Sequence, residues 1–334
     1  MNKKKLLSGI KPTGIVHLGN YFGYIQPALK LVSQFEHAQL FIADVHTFNS
    51  LKDPALLSEY TYQIVAAYLA CGLDTAKTLV YRQSDVPETF ELCNLLMNFT
   101  EKGLMNRAHS YKAKLDQNEE MGKSPDEGVN MGLFNYPILM AADILLFDPD
   151  VVPVGKDQLQ HLEMARDIAQ HFNSTYKTDE MKLFESYVEE EVQTIVGLDG
   201  RKMSKSYNNT IPLFAKEDEL KKLIMKIPTS SQGIEEPKET EGDVIFTLYS
   251  YVANEEEKNA LAQKYRAGGM GWGEAKNMLF EKLNSHIAPM REKYEAFMQD
   301  REYLKKVMVE GGEKAREYAS AKMKRVRTIV GLDL

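Results

Sequence analysis

Short apolar runs alternate with stretches of helical period over the first two hundred or so residues. No other feature constrains the fold of this chain as tightly. The run at 6–10, "AQLFIADVHTF" and "KTLVYRQ" read as buried strands. "PALLSEYTYQIVAAYLACG" reads as a helix stopped by Gly72, and "VPETFELCNLLMNF" as another helix. Such alternation predicts a parallel sheet with helices on both faces and ligands at the carboxyl ends of its strands. Residues 105–130 break the rhythm; they are polar, carry Gly122, Pro125 and Gly128, and read as a mobile insertion. Beyond Phe214 only charged amphipathic helices follow. The expected architecture is therefore α/β: a Rossmann-like, doubly wound parallel sheet over 1–206, then an all-helical C-terminal domain over 207–334. The first part is expected to hold a small helical and loop insertion at about 87–150.

Bulk composition narrows the class. With 43% apolar and 27% charged residues the 334-residue chain has the make-up of a soluble globular protein. The basic start "MNKKK" leads into an apolar run broken by Gly9, Lys11 and Pro12, too short for a signal core, and no later run nears a membrane span of ~20 residues. Cys71 and Cys93 have no partners at metal spacing, so a cytoplasmic location with neither membrane nor protein-held metal is expected. A net charge of −7 argues against a protein that coats nucleic acid over its whole surface. From Arg301 to Leu334, however, nine Lys/Arg face five Asp/Glu, densest in "AKMKRVRT". That run is either a solvated helix face or a local patch for RNA backbone.

Three stretches carry chemistry. "KPTGIVHLGNYFG" (11–23) is a strand–loop–helix junction with glycines where a backbone turns or meets a ligand. It fits an ordinary turn, or a nucleotide cradle at a helix N-terminus. "GLDGRKMSKSYNN", from Gly197, puts a basic loop after the tight turn at Asp199–Gly200. In "NYPILMAADILLF", Tyr136, Met140, Asp143 and Phe147 share one helix face, so Asp143 lies in an apolar stripe where an unpaired carboxylate is costly. Asp143 is then either a buried salt-bridge or capping partner, or an acceptor for a ligand donor such as an indole N–H, which can only donate.

"HLGN" and "KMSKS" in that order resemble the two signatures of the class I aminoacyl-tRNA synthetases, the second letter for letter, and the likeness extends over essentially the whole chain. It implies activation of an amino acid by in-line attack of its carboxylate on the α-phosphorus of ATP with Mg²⁺, then transfer to tRNA. Such chemistry needs positioning and positive charge where phosphate charge shifts. The resemblance implies His17, Asn20, Lys202 and Lys205 as catalytic. Lys11, Pro12, Thr13, Gly19, Gly155, Lys156, Asp157, Ile195, Met203, Ser204 and Ser206 complete the implied ATP site, and Lys112 and Lys114 would face the triphosphate. Asn20 stands where the fuller signature has a second His, and Lys11 where many members have Gln. "SGIKPTGIVHLGNYFG", "YPILMAADILLF" and "VVPVGKDQLQHLEMARDIA" narrow the likeness to the bacterial tryptophanyl branch. That branch implies Asp143 for the indole nitrogen, Met140, Val152 and Val154 as walls, and Leu7, Gly9, His46, Tyr136 and Gln158 around the amino acid.

The implied partners are L-tryptophan and tRNA(Trp), with the helical domain as anticodon reader and a homodimer as the assembly. A tyrosyl enzyme is the nearest alternative. A non-catalytic relative is opposed by both lysines of "KMSKS", and a simple adenylyltransferase has no need of the long helical domain. Trp272 and the glycine pairs at 268–269 and 311–312 read as loop or helix-end residues without functional signal.

Overall fold

The computed structural model describes residues 2–188 and 195–333. Five parallel strands, β1 (Asn2–Ile10), β2 (Phe35–Ile42), β3 (Thr78–Arg82), β4 (Val151–Pro153) and β5 (Glu185–Tyr187), form one sheet in the order β3-β2-β1-β4-β5. The chain runs outward from β1 to β3, then returns to the other side of β1 for β4. This reversal leaves a crevice beyond the carboxyl ends of β1 and β4.

The two-residue period of each strand divides the core. Leu6, Leu40, Val80 and Val151 enter one apolar cluster, while their neighbours Leu7, Phe41, Tyr81 and Val152 enter another. The expected sheet with helices on both faces is thus present. Strands buried on both sides read as continuous apolar runs, which is why they were legible.

One local expectation needs correction. "AQLFIADVHTF" is strand only to Ile42; Asp44–Thr47 is a short helix. The Asp44 carboxylate accepts the N–H groups of Val45 and Ser84 and so turns the chain out of the sheet. Within 105–130, read as a mobile insertion, His109–Glu120 is helical. Its buried Asn118 donates to the carbonyls of Pro125 (2.7 Å) and Glu127 (2.9 Å). Asn118 alone in that helix is buried, so no apolar stripe announces it.

The last two helices, Trp272–Gln299 and Arg301–Val330, return to the sheet. Leu304 and Met308 pack in the first cluster, whereas Ala315, Ala319, Met323 and Val326 pack in the second, so the final helix passes the β3 edge from one face to the other. Gly311 and Gly312 lie inside this helix rather than at its end, which corrects their reading. A Cβ on Gly311 would stand 1.8 Å from the Val80 carbonyl oxygen, and one on Gly312 would stand 2.8 Å from Asp85 Cβ. By contrast, Gly268 and Gly269 do close a helix in left-handed conformation, and Trp272 opens the next with its ring edge-on to Tyr265.

Much of the basic run is paired within the protein. Lys322, 2% exposed, lies 2.6 Å from Asp148 and 3.2 Å from Glu180. Arg325 reaches Glu180 at 2.9 Å, Arg327 reaches Glu91 at 2.7 Å and Arg316 reaches Glu88 at 3.1 Å. These cations fasten the helix to acidic residues of the sheet-bearing part. Among the described residues no helix is long and apolar enough to cross a membrane.

Gly311→Ala is expected to destabilise the protein by about 3 kcal/mol, because the obstacle is backbone and cannot step aside. Gly273→Ala, where an added Cβ meets nothing within 4 Å, is expected to be neutral or stabilising by up to about 1 kcal/mol. Urea denaturation of both variants checks the contrast.

Candidate active site

Two loops remote in sequence meet above the crevice. Leu18 N–H donates to the Ile211 carbonyl and Leu213 N–H to that of Val16, a backbone bridge at 2.9 Å on each side of the His17–Pro212 pair. Lys205 Nζ donates to the Thr13 carbonyl at 2.8 Å, and Gly19 N–H to Met203 Sδ at 3.1 Å. A Cβ on Gly19 would come within 2.9 Å of His17 Nδ1 and 3.2 Å of Met203 Cβ, so glycine is what lets the loops close on each other. The lysine loop follows a hairpin in which Met203 N–H donates to the Ile195 carbonyl. Asn209, 2% exposed, braces it by accepting from Ser204 N–H and donating to Asp199 and to the Lys202 carbonyl. Ser204 Oγ accepts from Ser206 N–H.

His17 caps the helical segment that begins at Leu18. Its Nδ1 accepts from Asn20 N–H, while Asn20 Oδ1 accepts from His17 N–H. An Nδ1 used as acceptor places the proton of the neutral ring on Nε2, ready to donate. Burial, then the charge of Lys205, lower the His17 pKa to about 4. Asn20 therefore does part of its work as the ring's capping partner. The following turn, Tyr21–Ile25, is π-helical, a local unwinding often found at functional sites.

Within the crevice lies a cavity of about 280 Å³, close to the lower end for ligand pockets. Leu7, Met140, Val152 and Val154 give it apolar walls, and Gly9, Lys11, His46, Tyr136, Asp143 and Gln158 also line it. Asp143, 3% exposed, accepts from His46 Nε2 at 2.9 Å and from Gln83 Nε2 at 2.9 and 3.0 Å. Burial raises the Asp143 pKa, opposed by its hydrogen bonds from His46 and Gln83 and by the His46 charge. Asp143 is thus a buried partner of His46, as one sequence reading expected, and it also lines the cavity. Lys11 Nζ sits 4.4 Å from the Tyr136 ring centroid. Burial lowers the Lys11 pKa, and the Asp157 charge partly restores it. Burial and the charge of Asp143 push the Tyr136 phenol up to about 12. Gln158 Oε1 faces His161 Nδ1 at 3.0 Å, and its Nε2 donates to Asp157 at 2.7 Å.

All nine residues expected around the amino acid line this cavity, together with Lys11 and Gly155 of the expected nucleotide set. Pro12 and Ile195 are buried, Asp157 joins through Gln158, and Thr13, His17, Gly19, Asn20, Met203, Ser204, Lys205 and Ser206 belong to the paired loops. Lys156 and Lys202 are exposed and do not line the cavity. Lys112 and Lys114 lie on the helix His109–Glu120, where Lys114 is bonded to Gln117, and neither lines the cavity. Sequence reasoning missed Gln83, Phe41, Ala43 and Tyr24. The signal for Gln83 was positional, a polar residue at the carboxyl end of a buried strand.

Residues 1–288 match the family model described as tRNA synthetases class I (W and Y). A tryptophan–tRNA ligase of Xanthomonas campestris pv. campestris is 48% identical over 98% of this chain and 76% of its own length. One from Neisseria meningitidis is 44% identical over 99% of both chains. The solved tryptophanyl-tRNA synthetase of Campylobacter jejuni, complexed with ADP and tryptophan, superposes with a TM-score of 0.90 at 41% identity over 98% of this chain and all of its own.

The lowered His17 pKa has a definite sign. The unfolded ring takes its proton near 6.5 and the folded one near 4, so the unfolded chain binds more protons between those values. The His17 contribution to stability is full above about pH 6.5 and is lost as pH falls toward 4. In an imidazole NMR titration His17 is expected to remain neutral at about pH 5.5; a midpoint near 6.5 would refute this.

Proposed function

The chain belongs to the class I tRNA synthetases of the tryptophan and tyrosine family, and we propose that it joins L-tryptophan to tRNA(Trp) by way of tryptophanyl-adenylate. The observation that carries the choice of amino acid is Asp143, a buried acceptor in an otherwise apolar slot. Tryptophan offers one polar atom on its ring, an N–H donor. A carboxylate has about four acceptor positions, and Gln83 and His46 occupy three, so one on Oδ1 remains for that donor. The 48% identity to a tryptophan–tRNA ligase supports tryptophan over tyrosine.

In the first step a carboxylate oxygen of tryptophan attacks the α-phosphorus of ATP, the α–β P–O bond breaks, and pyrophosphate leaves. With the indole against Asp143, the amino-acid end points toward Tyr136, Gln158 and Lys11 at the mouth. Gly155 and Asp157 take the ribose, Ile195 the adenine through its backbone, and His17 Nε2–H, Thr13 and Asn20 the phosphates. Lys205, already at the Thr13 carbonyl, and Lys202 meet the pyrophosphate; Lys11, Pro12, Gly19, Lys156, Met203, Ser204 and Ser206 complete the nucleotide site. The chain's contribution is alignment and charge. The reaction would take Mg²⁺ together with its ATP. The ion would neutralise charge on the leaving pyrophosphate. In the second step a ribose hydroxyl at the tRNA terminus attacks the adenylate carbonyl and AMP departs.

We assign catalysis to residues 1–206 and tRNA reading to 207–334, the last helix also bracing the sheet. A cytoplasmic homodimer completes the reading.

Amino-acid-dependent ATP–pyrophosphate exchange across all twenty amino acids is expected to show turnover with tryptophan alone; preference for tyrosine would overturn the assignment. Asp143→Asn, which presents a donor to a donor, is expected to lower kcat/KM for tryptophan about 10–100-fold and leave the ATP KM within about twofold. Lys205→Ala is expected to lower kcat by about 10²–10³ with tryptophan KM little changed, read in single turnover.

A further inference from the structure

Gln83 is 1% exposed and has its whole amide engaged beside the amino-acid slot. Its Oε1 accepts from the backbone N–H of His46 at 3.3 Å. A backbone N–H can only donate, so the carbonyl must face it and the NH₂ must face Asp143. There Nε2 lies 2.9 Å from one carboxylate oxygen and 3.0 Å from the other.

The turn Gln83–Asp85 that carries this amide is itself fixed. Asp85 accepts from Arg82 N–H at 3.2 Å and from Arg82 Nε at 3.0 Å. On its far side Gly312 of the final helix packs so closely that any Cβ there would meet Asp85. Gln83 therefore has neither the room nor the free backbone to swing, and the Asp143 carboxylate is held by two donors of settled orientation, this amide and His46 Nε2.

We propose that Gln83 is a positioning residue for amino-acid selection: it holds Asp143 as an acceptor in one orientation, so that the slot demands a ring N–H. This inference rests on the reading of the cavity as a tryptophan site. A side chain without the NH₂ group leaves Asp143 with His46 as its sole donor among the described residues. Burial then favours the protonated acid, whose hydroxyl opposes a ring donor.

The test uses the full-length protein with Gln83→Leu and, as a second apolar side chain of similar size, Gln83→Met. ATP–pyrophosphate exchange is measured with L-tryptophan and with 3-benzothienyl-L-alanine, in which sulfur replaces the ring N–H. Wild type is expected to prefer tryptophan strongly. In the variants tryptophan KM is expected to rise about 10–50-fold with kcat within about threefold, and the preference to fall at least about tenfold. A purely structural role would lower both substrates together and leave the ratio intact. An unchanged ratio in a folded variant overturns the inference, as does failure of both variants to fold, which would assign the amide to stability. Wild-type protein that does not activate tryptophan overturns the underlying reading instead.

Discussion

The site depends on one topological constraint, the place of β1 in the middle of a parallel sheet. Parallel strands enter from the same edge, so each connection must cross a face and the functional loops gather at the carboxyl edge. Because the chain proceeds to β2 on one side of β1 and to β4 on the other, the turns after these strands diverge there. Lys11, Ala43 and Gly155 each lie just past a strand end and line the cavity in that opening. The backbone bridge between His17 and Pro212 then closes the top, bringing a loop from late in the chain onto one from its start.

Within this frame the buried charges have separate tasks. Asp143 remains a usable acceptor because donors hold it from two sides, against a burial that favours its neutral form. His17 takes the opposite course. Low accessibility and a neighbouring ammonium keep it neutral, and the cap made with Asn20 selects its tautomer. Lys322 has the most closed surroundings of the three and answers to Asp148 and Glu180. Burial is similar at all three positions, and the partner decides what each group can do.

Much of this was legible in the residues, for physical reasons that also mark where legibility ended. Strands packed on both faces produce apolar runs, and a carboxylate in the stripe of Tyr136, Met140 and Phe147 stands out because it costs so much there. The helix His109–Glu120 was hidden because it buries almost nothing. The purpose of Gly311 and Gly312 was hidden because a close approach belongs to two segments, while a sequence shows one at a time. Gln83 escaped for the same reason, since its partners His46 and Asp143 lie far from it along the chain. The pairing of the basic tail was not legible because surplus charge looks alike whether its counterions are phosphates or the protein's own glutamates.

The final helix also settles a question of sheet hygiene. Among the described residues β3 has a neighbouring strand on one side only, and an uncovered border strand invites pairing with other chains. Glycine lets the helix lie flat against that border, its backbone almost touching the strand. A chain ending after the preceding helix would thus present a raw, sticky margin during synthesis. The thirty residues of this helix act as a hem, and until they have been made the backbone of that border is open to stray strand pairing.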